Sequence, residues 1–136
     1  MQLLELEPLI MQRLQEAFPA DVLLVSSLQS QNARARNAPR AVTLVYGGMT
    51  VTDTARAASK VSERWLVALS VLDSGAQTEQ TEQARSTLTQ MIVTAIEALR
   101  RPLNPSLTLA LLSSPPVQTS PGYQAYVLAF EARFTI

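Results

Sequence analysis

Neither cysteine nor histidine occurs among the 136 residues, and lysine occurs once, as Lys60. Without histidine there is no Ser-His-Asp triad, no imidazole base near neutral pH and no imidazole metal ligand. Without cysteine there is no thiolate nucleophile, no disulfide and no structural zinc site of the usual kind. Lys60 lies in a polar stretch, without the apolar pocket that makes an amine nucleophilic. Carboxylates remain as acid/base candidates, but Asp21, Asp53 and Asp73 each fall near a segment end, with no spacing that suggests a dyad. No catalytic, cofactor-binding or metal-binding residue is assigned, and the chain is expected not to be an enzyme or to take a small-molecule substrate.

An excess of charge of either sign is missing too. Eleven basic residues balance eleven acidic ones, which argues against general nucleic-acid binding through a basic field. No apolar run approaches the ~18 residues that a membrane-spanning helix needs. The opening Met1-Gln2-Leu3-Leu4-Glu5 lacks the basic region of a secretory signal. Charged residues make up only 16% of the chain, whereas 47% are hydrophobic. That composition excludes a disordered chain and suits a surface partly covered by another subunit.

The length fits one domain, residues 1–136, with a core of its own. Leu3, Leu6, Ile10, Leu14, Ala17 and Phe18 recur at helical steps, and Pro19 ends the segment. With Pro8 at its first position, the well-formed helix is expected to start near Glu7. Val22–Val25 is a short β-branched run, expected as a strand. Ser26 to Arg40 is polar and small, with Arg34, Arg36 and Arg40 and no aromatic, and is expected to be a mobile loop. From Val22 to Thr52 these three arginines meet no acid. Ala41–Thr52 reads as a strand broken by a bend or bulge at Gly47-Gly48. Residues 53–62 read as a second loop.

Trp65, Val67, Leu69 and Val71 alternate within a strand over 63–72, with Trp65 in the core. A long helix is expected from Glu79 to Arg101, capped by Thr78, with Ala84, Leu88, Met91, Ile92, Ala95 and Leu99 buried. Leu107, Leu109 and Leu111 alternate as a further strand. The prolines at 115, 116 and 121 mark a turn-rich connection. In the closing strand, 123–134, Tyr126, Leu128, Phe130 and Phe134 share one face. Helix, three strands, helix and two strands give an α+β fold. Two helices are expected to pack on one face of a mostly antiparallel sheet of about four to five strands.

Several segments together resemble the tail terminator (tail-completion) family of Mu-like phages and prophages, with the plan of lambda-type terminators. They are the Leu-rich first helix ending in Ala17-Phe18-Pro19, the run 38–48 (APRAVTLVYGG), the strand 64–72 (RWLVALSVL), the long helix, Arg101-Pro102-Leu103, and the closing strand 123–134 (YQAYVLAFEARF). The 53–62 region carries no such pattern. The resemblance implies a structural subunit of a hexameric ring that caps the tail tube, stops its growth and meets the head connector. The implied partners are further copies of the chain, the tail tube protein and the head–tail connector, with no membrane. The implied location is the host cytoplasm during assembly and then the virion or a phage-like tail particle. Arg34, Arg36, Arg40, Gly47 and Gly48 are the candidate subunit or tube contacts. The alternative is a nucleic-acid-binding accessory protein using the Arg34–Arg40 segment. Against it, single-strand binders interleave basic and stacking residues, and no aromatic occurs there.

Overall fold

A computed structural model describes residues 3–26, 38–55, 58–73, 78–105, 107–113, 118–120 and 122–136. The elements are α1 (Leu6–Ala17), β1 (Leu23–Ser26), β2 (Arg40–Ala55), β3 (Ala58–Asp73), α2 (Thr78–Arg100), β4 (Ala110–Ser113), β5 (Gln118–Ser120) and β6 (Gly122–Thr135). The strands form one six-stranded mixed sheet in the order β1-β2-β3-β6-β4, with β5 also paired to β6. Among the described strands only β1 and β2 run parallel. The fold is α+β, as the element order implies.

Chain length permits the parallel pair. A tight hairpin would make β1 and β2 antiparallel, but more than a dozen residues separate Ser26 from Arg40, enough for a parallel connection. The central pairings are long antiparallel ladders, β2 with β3 and β3 with β6. On β3, Val61, Glu63, Trp65, Val67, Leu69 and Val71 are buried toward the helices. Leu128, Phe130 and Ala132 of β6 share that face and are buried with them. Against them pack Leu6, Ile10 and Leu14 of α1 and Leu88, Met91, Ala95 and Leu99 of α2, in one continuous core.

Local chemistry explains the helix ends. α1 begins at Leu6, a residue before the expected start, so Pro8 lies within the first turn, where its missing N–H takes no helical bond away. Phe18 precedes Pro19 and is extended, with φ −103° and ψ 146°, so the helix closes at Ala17. Thr78, expected as the cap of α2, is its first helical residue, and the helix ends at Arg100.

Four strand expectations are corrected. Residues 53–55 and 58–62, expected in a loop, are strand, because β2 and β3 continue pairing out to Ala55 and Ala58. Leu107 and Leu109 are buried but precede β4, whose Leu111 is exposed. The turn-rich connection contains the short strand β5. The two ends of the expected loop at 26–40 belong to β1 and β2; its residues 27–37 lie outside the described residues. Ile92 of α2, expected in the core, is half-buried at its margin.

Candidate interaction surface

The helices cover one face of the sheet, and the other face carries the candidate surface. Cross-strand pairs between β3 and β6 set its floor: Ser62 opposite Arg133, Arg64 opposite Glu131, Leu66 opposite Ala129, Ala68 opposite Val127 and Ser70 opposite Ala125. β2 adds Val45 beside Leu66 and Thr43 beside Ala68. Val45, Leu66, Ala68, Val127 and Ala129 are all half-buried, whereas Leu44, Trp65, Val67, Leu69, Leu128 and Phe130 on the helix side are fully buried. The face is therefore an apolar strip that ends in charge at Arg64, Glu131 and Arg133.

A bulge stands at that charged end. Tyr46 pairs with Trp65 and Met49 with Glu63, so Gly47 and Gly48 together oppose Arg64. Gly48 has φ +90°, a conformation costly for a side-chain-bearing residue. At Gly47 the constraint is space. A Cβ there would lie 2.9 Å from Arg64 Cγ and 3.1 Å from the Arg64 carbonyl oxygen. Glycine thus lets the aliphatic stem of Arg64 lie close across β2.

Glu131 accepts a hydrogen bond from the Arg133 guanidinium through its Nε. That bond holds the Glu131 carboxyl below the usual carboxylate range, helped by the Ser62 hydroxyl and the positive charges of Arg133 and Arg64, against the opposing effect of partial burial. The sequence places Ser62, Arg64, Glu131 and Arg133 on strand positions out of phase with the apolar residues. That phase is the signal by which they could have been found, but the sequence reading did not single them out.

The structure separates the candidate contact residues into two places. Gly47 and Gly48 form the bulge. Arg40, expected in a loop, is the first residue of β2 and pairs with Asp21, whose chain position follows α1. That acid precedes the acid-free stretch in sequence but meets it in space. Arg34 and Arg36 lie outside the described residues.

Two other polar clusters serve the fold. Glu63 is fully buried, and its Oε2 accepts from the Leu4 N–H at 3.2 Å. The Tyr46 hydroxyl also bonds Glu63, and burial together with this carboxylate pushes the phenol up to about 12. Gln124, also buried, donates to Asp73 Oδ2 at 3.0 Å and to the Thr81 carbonyl at 3.2 Å, tying β6 to the first turns of α2. Among the described residues no group of three or more His, Cys, Asp or Glu is placed to hold a metal ion. No described helix is long and apolar enough to cross a membrane.

Comparison with protein-family models finds no match to this chain, and comparison with curated proteins likewise finds none.

Proposed function

We propose that the chain is a structural subunit of a phage or phage-like tail that assembles into a ring, six copies in number, at the end of the tail tube. The ring ends tube polymerisation and presents a junction to the head connector. The ring, its count and its partners rest on the sequence resemblance. The structural observation that supports the reading is the half-exposed apolar strip Val45–Leu66–Ala129, ended by Arg64, Glu131 and Arg133. A strip of this kind beside charged groups is a surface suited to protein contact. The alternative, nucleic-acid binding by the Arg34–Arg40 segment, is weakened because Asp21 neutralises Arg40.

Tube polymerisation tests the proposal. Purified tail tube protein is allowed to elongate with and without this chain. Tubes that stop short, at a length set by the moment of addition, are expected. Tubes of unchanged length at saturating chain would overturn the reading.

A further inference from the structure

The Gly47–Gly48 bulge borders a notch of about 440 Å³, lined among others by Thr50, Thr52, Ser62, Arg64, Glu131 and Arg133. The three charged groups differ in engagement. Glu131 is the most enclosed, with its side chain 16% exposed against 79% for Arg133. It is bound to the Arg133 Nε and to Ser62. The Arg64 side chain is exposed and makes no hydrogen bond or close ion pair among the described residues, although its charge acts on Glu131 across the strand pair. Its stem lies against Gly47, which leaves no room there for a side chain. Two guanidinium groups against one carboxylate leave one positive charge uncompensated at the mouth of the notch.

We propose that this notch is a recognition site for a single carboxylate side chain, Asp or Glu, of a partner protein whose flanking apolar residues lie on the strip Val45–Leu66–Ala129. Arginine suits the ligand because its planar fork binds a carboxylate through two parallel hydrogen bonds. One excess positive charge matches a monoanion. A phosphate dianion would bring its second charge against Glu131 in the same notch. Among the described residues the lining holds no aromatic ring on which a base could stack. The apolar strip beside the notch gives a protein partner surface to cover, so the notch supplies register and the strip supplies area. Gly47 is a positioning residue in this account: it sets the path of Arg64 and does not touch the ligand.

The site stands independently of the tail-capping proposal, because its test uses this chain alone. The full chain, labelled with ¹⁵N, is titrated with the capped peptide acetyl-Leu-Glu-Leu-amide. Parallel titrations use acetyl-Leu-Gln-Leu-amide, inorganic phosphate and a thymidine oligonucleotide. The Glu peptide is expected to shift the Gly47 and Gly48 amides saturably at millimolar concentration, and the effect should weaken with added salt. Arg64→Gln should reduce its affinity about tenfold, the loss of one charge-assisted contact. Gly47→Ala, which keeps every charge but displaces the Arg64 stem, should reduce it several-fold. The remaining amides report that both variants stay folded. Three results would overturn the proposal: no saturable response to the Glu peptide, an equal response to the Gln peptide, or folded variants that bind as tightly as the parent. Tighter binding of phosphate or the oligonucleotide would also overturn it, by making the notch a phosphate site.

Discussion

Tyr46 stands where a half-buried ring meets a buried carboxylate. Its ring lies 4.9 Å from that of Trp65, tilted by 59°, an arrangement favoured by the charge distribution of aromatic rings. Ionising its phenol would place a charge where burial has already removed part of the solvent and set a second negative charge against Glu63. The phenol is therefore held up to about 12, from a usual value of 10.0. The sign follows directly. A group whose folded value is raised favours the folded state fully below the unfolded value and loses that contribution as pH climbs through the folded one. Spectrophotometric titration of the three tyrosines is expected to show one that ionises about two units late, and stability should fall between pH 10 and 12. Tyr46→Phe should remove the late transition; if it persists in that variant, the assignment is wrong. Trp65 was legible as core because it alternates with Val67 and Leu69. Glu63 shares their phase, yet charge at the start of an apolar run reads as a strand boundary, and only the structure shows it buried. The pairing of Arg40 with Asp21 was hidden for a different reason: a loop's net charge says nothing of which acid from another element folds against it.

At the scale of elements, alternation was a faithful guide in β3 and β6, where one face is covered. Phe130 and Leu128 were placed on the helix side from periodicity, and both are 1% exposed. Phe130→Ala is expected to cost about 3–5 kcal/mol, through lost burial and the cavity left behind. Chemical denaturation checks it, and a midpoint close to the parent's would contradict the face assignment. The outer half of the β2–β3 hairpin was missed because Val51 to Thr54 are exposed whichever way they point, so no alternation marks them. Cross-element contacts also escaped the sequence. Arg13 of α1 donates from Nη1 to the Ala98 carbonyl at 3.0 Å and from Nη2 to the Pro102 carbonyl at 2.9 Å. These carbonyls lie at the C-terminal end of α2, where the last turn leaves acceptors unpaired and a cation is favoured. Arg13→Ala should cost about 1–3 kcal/mol, because it leaves those acceptors without their charged donor. Thermal unfolding reads that loss; an unchanged melting temperature would show that water satisfies the carbonyls equally well.

On the scale of the whole molecule, the element order carried the fold class: two helices on one face of a mostly antiparallel sheet. The parallel placement of β1 was not legible, because the strand's own residues do not encode the direction of its neighbour. The candidate surface was half legible. The double glycine announced a bulge, but its partner Arg64 and the Glu131–Arg133 pair come from strands far along the chain, joined only by register. The central claim, that the chain caps a tail tube as a ring, belongs to this scale. The most direct measurement is electron microscopy of tail particles carrying a labelled copy of this chain. Label is expected at one end of each tube only, in a closed ring of six copies. Label distributed along the tube, or tubes of controlled length whose ends lack the chain, would contradict it.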